Sequence, residues 1–129
     1  MVGLVIVSHS QKLAEGVRDL AAQMAAEVPI AVAGGTGDER IGTDANKIIA
    51  GIKEVYSEDG VLIIFDLGSA YLNAEMAIEF LEDEMKEKTE IIDVAFVEGT
   101  VMAAVLSSVG KKRQEMKEEL KELCVGKMP

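Results

Sequence analysis

The chain has 129 residues, which is typical of one domain and long enough to bury a hydrophobic core. Its 13 basic and 23 acidic residues give a formal net charge of −10, which repels phosphate backbones and anionic membrane surfaces. There is no Trp, and the few Tyr and Phe rings offer little for stacking on bases. Neither nucleic acid nor a membrane is therefore expected as a partner.

The single cysteine and the first apolar run indicate in which compartment of the cell the protein is located. Cys124 has no second cysteine to pair with, which suits a reducing cytosol, and we interpret it as a small hydrophobic residue of the last helix. Residues 2–7 lack a basic leader and are too few for a signal-peptide core or a membrane span. The sequence predicts a cytoplasmic protein.

Apolar runs alternate with amphipathic segments along the first third of the chain. Residues 2–7 are mostly β-branched and predict a strand covered on both faces. A helix ending before Pro29 is predicted next, because apolar residues recur at intervals of three and four. Its predicted inner face is Leu13, Val17, Leu20 and Met24. Residues 30–33 predict a second strand, and residues 34–38 a glycine-rich loop.

Two further β-α units follow. Thr43 and Asp44 predict a helix start, because their oxygens can cap free backbone amides. Residues 61–65 predict a third strand, Asp66 to Gly68 a turn, and Ser69 the start of another helix. The predicted inner faces of these helices are Ile48, Ile49, Ile52 and Val55, and Asn73, Met76, Ala77, Phe80 and Leu81.

The last unit completes the pattern. Residues 91–95 predict a strand, residues 98–109 a small-residue helix, and the charged run 111–121 a solvated final helix. Met116, Leu120 and Leu123 mark the inner face of that helix. We therefore predict one α/β domain over residues 1–129. Its mainly parallel sheet has about four strands, with helices on both faces in a doubly wound arrangement.

The only histidine lies where the first strand gives way to a helix. In doubly wound sheets function collects at the carboxyl ends of the strands. His9 follows strand one and Asp66 follows strand three. If these strands are neighbours, the two residues lie on strand ends about 5 Å apart.

Such a pair supports nucleophilic chemistry. A carboxylate that accepts from Nδ1–H fixes the tautomer and leaves the Nε2 lone pair free to attack or to hold a group. The helix beginning near Ser10 and the loop at Gly34 and Gly35 can direct backbone amides towards a phosphoryl group. Two simpler interpretations stay open, in which His9 is a polar helix cap and Asp66 caps the next helix.

Several short motifs in this order resemble the DhaM family, the phosphocarrier subunits of phosphotransferase-system dihydroxyacetone kinases. They are VSHS (7–10), LAEGV (13–17), GGT (34–36), IGTDA (41–45), FDLGSA (65–70), NAEM (73–76) and FVEG (96–99). The resemblance implies a mannose-type enzyme IIA fold, usually homodimeric, with His9 phosphorylated by HPr and Asp66 as its orienting partner. The phosphoryl group then passes to ADP on the DhaL subunit, while DhaK binds dihydroxyacetone.

The rest of the site is expected to surround the phosphoryl group. The residues in question are Ser10, Gly34, Gly35, Thr36 and Ser69. Some family members have HPr-like and enzyme I-like domains after this one, and here we expect a separate HPr. A surplus of apolar residues, including the small-residue helix over 100–109, also favours a dimer.

Other chemistries are less well supported. One His, one Cys and scattered acids offer no metal-ligand pattern, so no metal is expected. The loop at Gly35 does not match a dinucleotide motif, since Arg40 stands where the last glycine would be, and no cofactor is expected. Two alternatives remain. One is an enzyme IIA domain of a mannose-type sugar transporter, and the other a receiver-like module with Asp66 as phosphoacceptor.

Overall fold

A computed structural model describes residues 1–36 and 42–128. Within them, four parallel strands form one sheet in the order β2-β1-β3-β4. The strands are β1 (Gly3–Ser8), β2 (Ile30–Gly34), β3 (Val61–Phe65) and β4 (Thr89–Ile92). The predicted α/β fold is confirmed, and β1 and β3 are neighbours.

Helices cover both faces of this sheet. They are α1 (Gln11–Met24), α2 (Ala45–Val55), α3 (Gly68–Glu79), α4 (Asp83–Glu87), α5 (Phe96–Ser108) and α6 (Arg113–Leu120), followed by a 3-10 turn, Lys121–Leu123. Because side chains alternate along a strand, Leu4 and Ile6 of β1 pack with α1, α5 and α6. Val5 and Val7 pack with α2 and α3 on the other face.

The strand order places a switch point between β1 and β3. Helix α1 leaves β1 towards one face, and α3 leaves β3 towards the other. Val7 pairs with Phe65 at the carboxyl edge, and the N–H of Asp66 donates to the carbonyl of Val7 at 3.1 Å. The residues that follow β1 and β3 therefore face each other across this crevice.

The inner face predicted for α1 is largely wrong. Val17 is buried, but Leu13, Leu20 and Met24 are 44%, 49% and 65% exposed. The buried residues of α1 are Ala14, Val17 and Ala21. Small side chains let the helix lie close to the sheet, and the larger ones are left on its flank.

The same correction applies to α3. Ala77 and Leu81 are buried as predicted, whereas Met76 and Phe80 are 51% and 72% exposed. The helix packs through Ala70, Ala74 and Ala77. The predicted face of α2 is confirmed at Ile48, Ile52 and Val55, with Ile49 partly buried.

The fourth unit differs from its prediction at its boundaries. Strand β4 begins at Thr89, because Thr89 pairs with Val61, and it ends at Ile92 rather than at residue 95. Helix α4 was not predicted, and α5 begins at Phe96. Met116 and Leu120 of α6 are buried as predicted.

Three further sequence-based expectations concern the end of the chain, the glycine-rich loop and the membrane. Cys124 is exposed just after the 3-10 turn, so the expectation that it lies within the last helix is wrong. Of the predicted loop 34–38, Gly37 and Asp38 lie outside the described residues. None of the helices in the described ranges has the length and hydropathy that crossing a membrane requires.

Candidate functional site

His9 and Asp66 meet at the carboxyl edge of the sheet. The ring Nδ1 of His9 lies 2.9 Å from Oδ1 of Asp66, and the backbone N–H of His9 donates to Oδ2 at 3.0 Å. The two side chains are 18% and 10% exposed. The structure therefore brings together the pair that the sequence placed on neighbouring strand ends.

The carboxylate of Asp66 accepts two further hydrogen bonds. Ser8 Oγ donates to Oδ2 at 2.9 Å, and the backbone N–H of Leu67 donates to Oδ1 at 2.7 Å. Burial raises the pKa of Asp66, but the hydrogen bonds from His9, Ser8 and Leu67 outweigh it and hold the pKa below the ordinary 3.8. Asp66 is therefore ionised at neutral pH.

An ionised Asp66 determines the tautomer of His9. A carboxylate only accepts hydrogen bonds, so the facing Nδ1 must be protonated. In the neutral ring Nε2 then has a free lone pair. Ser69 Oγ lies 2.7 Å from Nε2 and donates its hydroxyl hydrogen to it. Ser69 is the second residue of α3, so the reactive nitrogen lies at the start of that helix.

Two serines before α1 connect β1 to the site. Ser10 is the N-cap of α1, where its Oγ accepts from the N–H of Leu13 at 3.2 Å. Its own N–H donates to Oγ of Ser8, which is fully buried. Ser10 thus stabilises the helix start next to His9, while Ser8 ties the end of β1 to Asp66.

The described part of the glycine loop also lies beside β1. Gly35 has a φ of 66°, which favours glycine, and its N–H donates to the carbonyl of Ser8 at 3.1 Å. A side chain at Gly34 would meet the Cα of Gln11 at 2.7 Å, so only glycine fits there. Thr36 directly follows Gly35, and its Cγ2 would lie 2.9 Å from a Cβ at Gly42.

Three residues near the site were not singled out from the sequence. Ser8 was quoted only within a motif, although a serine that ends a buried strand is itself a signal. Lys47 of α2 donates to the carbonyl of Gly34 at 2.6 Å, and Lys127 donates to the carbonyl of Phe65 at 2.5 Å. No local pattern marks either lysine, because the two contacts span 13 and 62 positions of the chain.

The arrangement suits transfer of a group to a ring nitrogen. A hydrogen-bonded carboxylate fixes the imidazole, and Nε2 is the atom left to react. No cluster of three His, Cys, Asp or Glu residues that could hold a metal ion occurs in the described ranges.

Comparison with known protein families and relatives gives consistent matches. The family model described as EIIA-man, PTS system fructose IIA component, matches residues 3–117. A relative from Listeria innocua, named PEP-dependent dihydroxyacetone kinase 2, phosphoryl donor subunit DhaM, is 43% identical over 93% of this chain and 97% of its own. The phosphoryl donor subunit DhaM of Escherichia coli is 46% identical over 85% of this chain, which spans only 24% of that protein.

Solved structures support the fold. The crystal structure of a protein of unknown function has a TM-score of 0.85 and 31% identity, with both chains fully covered. A dihydroxyacetone kinase from C. freundii, in complex with AMP-PNP and Mg2+, has a TM-score of 0.66 and 16% identity over 94% of this chain and 24% of that one. At 16% identity the likeness shows the fold alone. The family model and the curated relatives show that the chain belongs to the DhaM family, built on the mannose-type enzyme IIA domain.

Proposed function

We propose that this chain is a phosphohistidine carrier that takes a phosphoryl group from HPr onto His9. It passes the group to ADP bound to a DhaL subunit, for phosphorylation of dihydroxyacetone held by DhaK. The names of the relatives support the kinase system. The observation that supports the carrier atom is the bond from His9 Nδ1 to Asp66, which leaves Nε2 as the nucleophile.

The proposed transfer has two balanced steps. The Nε2 lone pair of His9 attacks phosphorus, and the bond from phosphorus to the donor breaks with its electron pair going to the donor. The ring becomes cationic, and Asp66 stabilises it through Nδ1–H. In the second step an oxygen of the ADP terminal phosphate attacks phosphorus, and the N–P bond returns its pair to Nε2.

The surroundings of Nε2 fit a phosphoryl group. When Nε2 bonds to phosphorus, the hydroxyl of Ser69 is released from it and can donate to a phosphoryl oxygen. Helices α1 and α3 begin next to His9, and their N-terminal ends favour negative charge. We propose that Ser10, Gly34, Gly35 and Thr36 complete this environment.

Labelling tests the carrier. We expect wild-type protein incubated with phosphoenolpyruvate, enzyme I and HPr to take up a label that acid removes and alkali preserves. His9→Ala should take up none, because no other residue can form phosphohistidine. An alkali-sensitive label mapped to Asp66 would contradict the proposal and favour the receiver-like alternative.

The family model also names a sugar-system component, so the acceptor must be tested separately. Phosphorylated protein mixed with ADP-loaded DhaL should lose its label to the nucleotide. Loss of label only to a sugar-transporter domain would instead identify a transporter IIA protein. We propose that the carrier acts in the cytoplasm, as one domain.

We also propose that the carrier is a homodimer. The small-residue helix α5, which suggested a dimer from the sequence, is mostly buried within the chain. Helix α3 and its flanks instead expose large apolar side chains, at Leu67, Leu72, Met76 and Phe80. A second copy could cover this face. Sedimentation should show a dimer at micromolar concentration, and a monomer would contradict this proposal.

A further inference from the structure

The segment over residues 124–128 returns to the carboxyl edge of the sheet. It leaves the 3-10 turn at Leu123, whose carbonyl accepts from the N–H of Ala95 at 2.9 Å. Near its other end, the N–H of Met128 donates to Oδ2 of Asp93 at 3.1 Å. Asp93 directly follows β4. Hydrogen bonds therefore fix both ends of the segment to the chain that follows β4.

Lys127 extends from this segment to the end of β3. Its Nζ donates to the carbonyl of Phe65 at 2.5 Å and lies 3.3 Å from the carbonyl oxygen of Asp66. The ladder between β3 and β4 stops at the pair Ile64 and Ile92. Lys127 therefore supplies a hydrogen-bond donor to the strand end just beyond the last paired residue.

The ammonium group has a partly apolar and partly acidic environment. It lies 4.8 Å from the ring centroid of Phe65, which is fully buried, and 5.9 Å from that of Phe96. Burial lowers the pKa of Lys127, and the charges of Asp93 and Asp66 partly oppose this. Oδ1 of Asp93 is buried and has no hydrogen-bond partner within the described ranges. A nearby cation offsets these two carboxylates.

The same segment packs closely against the start of α3. A Cβ at Gly68 would lie 3.0 Å from the carbonyl oxygen of Lys127, so the backbones are close. Gly68 is followed by Ser69, which contacts Nε2 of His9. The segment therefore touches the chain on both sides of the turn between Asp66 and Ser69.

We propose that Lys127 is a positioning residue for phosphotransfer. It holds the peptide groups at Phe65 and Asp66, and through them it aims the Asp66 carboxylate at Nδ1 of His9. Without Lys127 the carbonyls of Phe65 and Asp66 lose this donor, and the backbone that carries the carboxylate shifts relative to Nδ1 of His9. The expected effect of Lys127 on the rate of phosphotransfer rests on the proposed function. Its expected effect on the tautomer of the His9 ring does not.

Three variants test this inference. Lys127→Met keeps most of the side chain but removes the charge and the donors. Lys127→Arg restores both. Lys121→Met is the matched control, because Lys121 is 70% exposed and pairs only with Glu118 among the described contacts, at 3.0 Å. Each protein is examined by 15N NMR of the neutral His9 ring and by single-turnover transfer from phosphorylated HPr.

We expect Lys127→Met to raise the fraction of His9 protonated at Nε2 and to slow transfer by roughly tenfold, because small misplacements of a reacting group are costly. Lys127→Arg should recover most of both properties, and Lys121→Met should match wild type. An unchanged tautomer in folded Lys127→Met would overturn the inference, even if transfer slowed. If wild-type protein accepts no phosphoryl group, the proposed function fails, and the inference is decided by the tautomer alone.

Discussion

Two charged clusters lie at opposite edges of the same sheet. At the carboxyl edge, Asp66 accepts hydrogen bonds from the His9 ring and from three neighbouring groups. At the amino edge, Glu90 lies between two cations, 2.8 Å from Arg113 and 2.6 Å from Lys117. Both clusters connect distant parts of the chain, but only the first holds an atom that can react, which is Nε2 of His9.

The difference lies in what each carboxylate neutralises. Each oxygen of Glu90 faces its own cationic partner, and its side chain is 31% exposed. Asp66 is 10% exposed and is satisfied mainly by neutral donors, so its charge remains available to an imidazole that becomes cationic. The amino edge has a depression of about 300 Å3, lined by Glu58, Asp59, Glu90, Lys112, Arg113 and Gln114.

The largest effect on transfer and stability is expected for Asp66→Asn at the carboxyl edge. Each oxygen of Asp66 accepts from two donors, so an amide turned either way places its NH2 against donor groups. We expect transfer to His9 to slow at least tenfold, which corresponds to about 1.4 kcal/mol of barrier. The free energy of unfolding should fall by about 1–3 kcal/mol.

Asp19→Asn is the matched control, because Asp19 is 71% exposed on α1 and pairs with its neighbour Arg18. Both variants are compared by single-turnover labelling and by urea unfolding. A folded Asp66→Asn protein that transfers at the wild-type rate would remove Asp66 from the site. It would leave Asp66 with the structural role of joining the end of β3 to the end of β1 through Ser8 and His9.

A smaller effect is expected for Ser69→Ala. The hydroxyl of Ser69 contacts Nε2 of the free ring at 2.7 Å and is proposed to donate to the phosphoryl group afterwards. Loss of one such donor should slow transfer severalfold, about 1 kcal/mol of barrier, since an exposed hydrogen bond contributes modestly. Ser57→Ala at the amino edge serves as control. Equal rates for both variants would show that Ser69 only contacts the resting ring.

The pH dependence of stability should also separate the edges. The pKa of Asp66 is lowered in the folded protein, so the unfolded chain binds the proton more readily. The contribution of Asp66 to the free energy of unfolding is then complete above the ordinary pKa of 3.8 and is lost as pH falls through the lower folded pKa. Urea unfolding should show a gap between the free energies of unfolding of wild type and Asp66→Asn at pH 5, and this gap should narrow below pH 4. A gap that does not narrow at all as the pH falls from 5 to 2 would contradict the assignment.

The fold and the central pair followed from the sequence because their signals are local. Buried β-branched runs mark β1 and β3, and the parallel order then brings His9 and Asp66 to one edge. The inner faces of α1 and α3 did not follow. Residue size suggested Leu20 and Phe80, whereas close packing on a sheet favours alanine.

Contacts between distant segments were also beyond the sequence. Lys127 meets Phe65 across 62 positions, and nothing near residue 127 indicates this. The start of β4 depends on its register with β3, which places Thr89 opposite Val61. An alternating pattern identifies a strand, but pairing decides where it begins and ends.

The smallest effect is expected for Glu90→Gln at the amino edge. The variant loses attraction to Arg113 and Lys117, whose side chains are 23% and 34% exposed, and partly exposed pairs contribute about 0.2–1 kcal/mol each at most. Removing one acid from a chain of net charge −10 also relieves repulsion between acidic groups. The loss in the free energy of unfolding should therefore lie at the low end of this range. This loss in stability should shrink further in about 1 M salt, where charges are screened within about 3 Å.

Transfer to His9 should be unchanged in Glu90→Gln. Urea unfolding at low and high salt, with single-turnover labelling, checks both statements. A fall in rate like that of Asp66→Asn would mean that the two edges act as one network and that the contrast between them is wrong.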